Sequence, residues 1–357
     1  HMDPKTKALV AGGGGFIGSH LGKRLKKEGY YVIAADWKRN EHFNEDEFCD
    51  EFHLIDLRSP EACITVTKGV EEVYNLAADM GGMGYIQSNN ASILYNNVMI
   101  SANMVQASLL NGVKRYFYSS SACVYPEYRQ CQEDVPALKE SDAWPAQPQD
   151  AYGLEKLFSE ELCKHYHKDF GLECRVARFH NIYGPYGTWK GGREKAPAAV
   201  CRKVYCSNDE VEVWGNGEQT RSFCYIDDCV EGILRLMHSE VREPLNIGSD
   251  EMVTVNEMIR IVMSFDNKKL KLNHVTGPEG VRGRNSDNTL IREKLGWQPP
   301  TSLRDGLRKL YDWLAVVIEK ERAQGGDASQ YVRSHVVFTG KPTITSVVPV
   351  PTSVTNT

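Results

Sequence analysis

The run Gly12-Gly13-Gly14-Gly15-Phe16-Ile17-Gly18 constrains this chain more than any other stretch, because of what flanks it. Before it stands a short apolar run, Lys7-Ala8-Leu9-Val10-Ala11, and after it a helical pattern through His20-Leu21-Gly22-Lys23-Arg24-Leu25. Glycines at 12, 15 and 18 supply what a dinucleotide pyrophosphate needs from a strand–turn–helix. The turn is tight, the backbone can approach the phosphates, and the helix can pack closely on the strand. The helix start at Phe16 and Ile17 then offers free N–H groups and a partial positive charge. A glycine run alone describes any turn, but here an acid follows: Asp36 closes a second apolar run, Tyr31-Val32-Ile33-Ala34-Ala35. A carboxylate there accepts hydrogen bonds from the adenosine ribose and repels a 2′-phosphate, so NAD is expected over NADP. Lys38 and Arg39 lie close enough to weaken that exclusion. Asp56, after a third apolar stretch, is placed to hydrogen-bond the adenine amine.

Further apolar runs at Val73–Ala77, Arg115–Ser119 and Cys174–Arg178 alternate with helical patterns over Asn96–Leu110 and Tyr152–Tyr166. Near-continuous apolar strands alternating with helices predict an α/β fold, a Rossmann-type doubly wound parallel sheet covered on both faces. The rhythm breaks after Gly184-Pro185. A Gly-, Lys- and Arg-rich stretch at 186–195 reads as a loop folding around something, and a helix resumes over Ala196–Cys206. Short strands and helices of mixed α+β type follow, with Thr254 or Asn256 capping one helix and a last helix over Ser302–Arg322. With 357 residues, the chain exceeds one compact core. The expected division is an NAD-binding domain from 5–180 plus about 223–248, and a smaller nucleotide-sugar-binding domain from about 181–222 plus 249–335. The Thr-, Val- and Pro-rich segment 341–357 reads as a disordered tail.

A net charge of −5 argues against a general nucleic-acid binder. No apolar stretch is long enough to span a bilayer. His1-Met2 reads as an expression remnant, and the start lacks a signal-peptide core. Ten cysteines without a CxxC pair indicate neither a zinc site nor a disulfide framework. The thiols are expected reduced, in the cytoplasm, and no metal is expected.

Tyr152 and Lys156 stand one helical turn apart, at i and i+4, on one face. A phenol is a poor base at neutral pH, and a nearby ammonium stabilises its phenolate. Together with the glycine loop this pair resembles the extended short-chain dehydrogenase/reductase family, from about Lys7 to Arg322. Asn75-Leu76-Ala77-Ala78, Ser119-Ser120-Ser121, Arg178-Phe179-His180-Asn181-Ile182-Tyr183-Gly184-Pro185, Gly215-Asn216-Gly217, Arg221-Ser222-Phe223 and Tyr225-Ile226-Asp227-Asp228 match its nucleotide-sugar-modifying branch. The resemblance implies hydride removal from a sugar carbon, commonly C4, with Ser121 hydrogen-bonding the reacting oxygen.

Ala122 and Cys123 occupy the positions where 4,6-dehydratases carry Asp and Glu, which disfavours dehydration. Ser121-Ala122-Cys123-Val124-Tyr125-Pro126 instead is similar to the strand-end motif of GDP-sugar epimerases, where this cysteine is an acid/base. Oxidation at C4 makes the C3 and C5 hydrogens acidic, and inversion needs one residue to remove each proton and another to return it. A cation beside Cys123 would make its thiol usable. Lys190 and Lys195 are the candidates for its partner, and the stretch around them, with Ala78–Tyr85, closely resembles the GDP-mannose 3,5-epimerases. That family converts GDP-mannose to GDP-L-galactose, for ascorbate and cell-wall sugars in plants. The resemblance implies Lys195 as the second acid/base. It also implies substrate contacts at Gly81, Asn181, Glu194, Lys203, Gln219, Arg221, Arg284 and Ser334, beside Ser121 and Cys123. A guanidinium at 221 or 284 suits a diphosphate. A homodimer through the helices at Asn96–Leu110 and Tyr152–Tyr166 is usual for the branch. The competing readings are a UDP-sugar 4-epimerase, a GDP-keto-sugar epimerase/reductase and a non-catalytic NAD-responsive regulator. The last would be expected to lack Tyr152, Lys156 or Ser121, and all three are present.

Overall fold

The structure, a computed structural model, describes residues 4–78 and 89–335. It opens with strand β1 (Lys7–Ala11), helix α1 (Phe16–Lys27), strands β2 (Tyr31–Asp36) and β3 (Glu51–Leu54), helix α2 (Pro60–Thr67) and strand β4 (Glu72–Asn75). Helix α3 (Asn90–Leu110), strand β5 (Arg115–Ser121), helix α4 (Ala151–Phe170) and strand β6 (Glu173–Phe179) continue the alternation. These strands and a later one, β8 (Leu245–Ile247), form a seven-stranded sheet in the order β8-β6-β5-β4-β1-β2-β3. Every pairing in it is parallel. The doubly wound expectation holds.

Alternate residues of each strand point to opposite faces, so both faces need cover. Ala8, Val10, Val32 and Ala34 pack with Leu21 and Leu25 of α1 on one side. Leu9, Ala11, Ile33 and Ala35 pack with α2, α3 and α4 through Val66, Met104 and Cys163 on the other. The strand order reverses beside β1, which leaves a crevice at the carboxyl ends of β1 and β4, where ligands bind in such sheets.

Beyond β6 come α5 (Ala196–Cys206), β7 (Glu210–Trp214), α6 (Ile226–Met237), β8, α7 (Val255–Met263), β9 (Lys271–Val275), α8 (Thr289–Leu295) and α9 (Leu303–Ala323). Helix α5 has the bounds its sequence predicts. Thr254 caps α7 by accepting from Glu257 N at 3.0 Å, and Ser302 caps α9 by accepting from Asp305 N at 3.2 Å. Strand β7 pairs in parallel with β9, apart from the main sheet. Val200, Val204, Val213, Ile259, Leu307 and Leu310 join these pieces to the core on the α1 side. Among the described residues no helix is long and apolar enough to cross a membrane.

Candidate active site

The crevice is lined by Gly12, Gly15, Phe16, Ile17, Gly18, Asp36 and Asp56 at one end and runs on to Tyr152 and Lys156. Gly12 sits at φ 79°, and a Cβ there would lie 2.8 Å from Ala77 N. A Cβ on Gly18 would lie 2.2 Å from the Gly12 carbonyl oxygen. These contacts leave a bare backbone turn at the head of α1. Its N-cap, Gly15, carries no side-chain cap, and no acid occupies the first turn. Uncapped N–H groups facing a crevice suit a pyrophosphate. Asp36 accepts from Gly14 N at 2.9 Å and Lys38 N at 3.3 Å. Burial nevertheless pushes its carboxyl up to about 6. Asp56 is gripped by Arg58, with Nη2 to Oδ2 at 2.7 Å and Nε to Oδ1 at 3.1 Å. Arg58 was not singled out in the sequence, although it stands two positions from Asp56.

Tyr152 lies in the first turn of α4, which Asp150 caps by accepting from Gly153 N at 2.8 Å. The glycine at 153 has a cause: a Cβ there would meet the Cys123 carbonyl oxygen at 2.1 Å. Helix α4 therefore rests directly on the turn that carries Cys123. Lys156 Nζ donates to Ser119 O at 2.8 Å and lies 5.4 Å from the centre of the Tyr152 ring. Ser121 ends β5, accepts from Cys123 N at 3.1 Å and lies close enough to the Tyr152 phenol to pull it downward. Burial dominates both members of the redox pair, raising the Tyr152 phenol well above its usual range and lowering the Lys156 ammonium. The expected lowering of the phenol by its ammonium neighbour is not seen, since burial sets the shift and the residue is only 5% exposed. Glu155, also unremarked in the sequence, accepts from Ser101, Tyr118 and Ser159 and so ties α3 and β5 to α4.

Cys123 is half-buried, and Arg284 Nη1 stands 4.0 Å from its sulfur. Lys195, the N-cap residue of α5, is exposed, but into the crevice that Cys123 also lines. The surrounding protein lowers its ammonium, Arg284 acts in the same direction, and Cys123 opposes them. Lys190 does not line this crevice; it pairs with Glu321 on α9. Of the two candidate lysines, the structure brings only Lys195 to Cys123.

The remaining candidates fall into two groups. Arg221 donates to the carbonyls of Thr220 at 2.7 Å and Glu279 at 3.2 Å, and Arg284 donates to Gln130 Oε1 at 2.6 Å. Among the described residues, no carboxylate pairs with either guanidinium. Burial pulls Arg221 down to about 9, with Arg284 adding to the effect. A guanidinium keeps its proton at neutral pH, so that shift expresses a buried cation lacking a counter-anion. Gln219 Oε1 is likewise buried without a partner among the described residues. Both features suit an anionic, hydrogen-bonding ligand. Glu194 and Lys203 line the crevice but are held by protein: Glu194 by Arg202 at 2.9 Å, Lys203 by Glu212 at 3.2 Å. Asn181, at φ 49°, donates to Ser222 O at 3.2 Å. Ser334 reaches the crevice from far along the chain. Gly81 lies outside the described residues.

The model of the NAD dependent epimerase/dehydratase family matches residues 8–248. GDP-mannose 3,5-epimerase of Arabidopsis thaliana is 65% identical over 336 residues, covering 94% of this chain and 89% of that protein. GDP-mannose 3,5-epimerase 1 of Oryza sativa subsp. japonica is 65% identical over 338 residues, covering 95% and 89%. Among solved structures, UDP-glucose 4-epimerase of Thermotoga maritima with UDP-glucose superposes with a TM-score of 0.78 at 26% identity, covering 88% of this chain and 100% of that one. MoeE5 in complex with UDP-glucuronic acid and NAD gives 0.75 at 26% identity, covering 87% and 99%.

Proposed function

This chain belongs to the NAD dependent epimerase/dehydratase family, and from that membership we propose that it acts as a GDP-mannose 3,5-epimerase, making GDP-L-galactose. The observation that carries the reading is that Cys123 and Lys195 open onto the same crevice as Tyr152 and Lys156. A 4-epimerase needs only the second pair, and the first would then have no work.

Bound along the glycine turn with its ribose on Asp36, NAD would accept the C4 hydride and later return it. Tyr152 takes the C4 hydroxyl proton, with Ser121 hydrogen-bonding the reacting oxygen and Lys156 favouring the phenolate. The resulting ketone acidifies C3 and C5. Cys123 and Lys195 then exchange protons with these carbons, one removing and the other returning. A lowered ammonium suits Lys195 to this work, because a base must be available near neutral pH. Arg221 and Arg284 hold the diphosphate by paired donors. Proton NMR of GDP-mannose in deuterium oxide tests the reading. Deuterium should enter C3 and C5 with no net absorbance change at 340 nm, and an active enzyme incorporating it at neither carbon would refute the proposal.

Asp36 adds a pH dependence. Its carboxyl is raised to about 6 by burial, and only the carboxylate accepts from both ribose hydroxyls. NAD affinity should therefore be full above that value and fall as pH drops through it. Titration calorimetry at stepped pH should show this slope in the wild type and a flat response in Asp36→Asn.

The assembly we propose is a homodimer through α3 and α4, which leave Leu94, Leu110, Leu154, Phe158 and Phe170 exposed. Light scattering at twice the chain mass would check it. Ten free thiols fit a reducing cytoplasmic setting, and the plant relatives fit a role in supplying ascorbate and cell-wall sugars.

A further inference from the structure

Arg202, on α5, is fully buried, and each of its five N–H donors is committed. Nε donates to Tyr331 O at 3.0 Å. Nη1 donates to Trp189 O at 2.5 Å and Glu194 Oε1 at 2.9 Å. Nη2 donates to Arg333 O at 2.9 Å and Ser334 Oγ at 3.4 Å. Its partners thus come from two irregular segments: the loop 186–195, and the segment 331–335 more than a hundred residues later. Neither has a ladder of its own to hold it. Both line the same crevice, the first through Lys195 and the second through Ser334 and His335.

The bonding continues on either side of the guanidinium. Glu194 Oε2 accepts from Gly192 N at 2.8 Å, which shapes the loop just before Lys195. Ser334 N donates to Glu212 Oε1 at 3.0 Å, and the same carboxylate pairs with Lys203 at 3.2 Å. One continuous series, Glu194–Arg202–Ser334–Glu212–Lys203, therefore runs through the crevice wall. Trp189 stacks on Tyr331 at 6.2 Å and 14°, a second contact between the two segments.

We propose that Arg202 is a positioning residue, a clasp that locks the Lys195 loop and the 331–335 strap into one wall, so that neither is placed without the other. This rests on the reading of Lys195 as an acid/base and Ser334 as a sugar-nucleotide contact. A planar fork suits the task because lysine would offer its donors from a single nitrogen and could not span five acceptors on two segments.

The test uses full-length Arg202→Lys and Glu194→Gln. Glu194→Gln preserves shape and alters the loop side, and because Glu194 also lines the crevice, its exchange readout rather than its KM tests the clasp; Glu194 reaches the strap through Arg202. Hydrogen exchange by mass spectrometry should show amides in both 186–195 and 331–335 exchanging about tenfold faster in each variant, with peptides of the main sheet unchanged. NAD affinity should stay within about twofold, while KM for GDP-mannose rises and the rate of solvent-deuterium incorporation falls by about tenfold or more. A loosened loop beside an unchanged strap in Glu194→Gln would overturn the proposal. So would two loosened segments with unaltered KM and incorporation. Should Arg202→Lys fail to fold, Glu194→Gln decides alone. The exchange readout involves no substrate, so a wild type that incorporates no deuterium would sink the epimerase reading and leave the clasp standing.

Discussion

Tyr152→Phe is expected to reduce turnover of GDP-mannose by about a thousandfold or more while NAD stays bound, since one positioned acid–base group contributes up to about four orders of magnitude. The removed hydroxyl touches Ser121, and the ring remains wedged in its pocket, so the fold has no reason to change. Loss should extend to every later step. The C3 and C5 hydrogens are acidic only beside a C4 ketone, so the variant should show no transient nicotinamide reduction and no deuterium entry at either carbon. Deuterium entering C3 or C5 at the wild-type rate in Tyr152→Phe would separate proton exchange from C4 oxidation and break the scheme. Lys156→Met should fall almost as far, because its Nζ, fixed by Ser119 O at 2.8 Å, lies 5.4 Å from the centre of the phenol ring. Its burial lowers the ammonium. The assistance is therefore fully present at lower pH and lost as pH rises through the lowered value. Activity should decline on the alkaline side earlier than an ordinary lysine would allow.

Cys123→Ala and Lys195→Met are expected to divide the reaction differently. Each leaves Tyr152, Lys156, Ser121 and the glycine turn intact, so reduction of bound NAD by GDP-mannose should persist. Inversion should fall by about a hundredfold or more in each, as one member of an acid/base pair is gone. Deuterium should be lost from at least one of C3 and C5 in each variant. Rapid-mixing absorbance at 340 nm, run beside NMR, reads the two halves separately. Exchange persisting at both carbons in Cys123→Ala would remove the cysteine from the mechanism, and a surviving rate in Lys195→Met would do the same for the lysine. Lys190→Met serves as the contrast: its partner is Glu321, away from the crevice, so any effect should come only through the loop and stay far smaller than in Lys195→Met.

Much of this was readable from residues alone, for physical reasons that can be named. The glycine turn is local: φ 79° at Gly12 and the approach of Gly18 to its carbonyl arise within seven residues, and sequence spacing encodes them directly. Tyr152 and Lys156 share a face because helical geometry puts i and i+4 together. The alternation of apolar strands with helices dictates a parallel sheet, since such strands must be covered on both faces. The choice of Cys123 and Lys195 came from likeness to a family, not from spacing.

Other features have no local signature. Nothing near Lys190 or Lys195 says which one faces the crevice. That is decided by Glu321 on α9, which draws one away, and by α5, whose N-terminus presents the other. Ser334 stands far along the chain, and Arg202 is what fastens it to the wall. The Tyr152 phenol is governed by burial that the packing of α4 against α3 and the Cys123 turn creates. The glycine loop and Asp36 thus pointed by themselves to the cofactor, while the first step came from the family likeness that the YxxxK pair carries. Which lysine faces the crevice, how high the phenol stands and what holds the crevice wall together were decided by tertiary structure. Desolvation and long-range hydrogen bonds depend on neighbours far along the chain, and no window of sequence contains them.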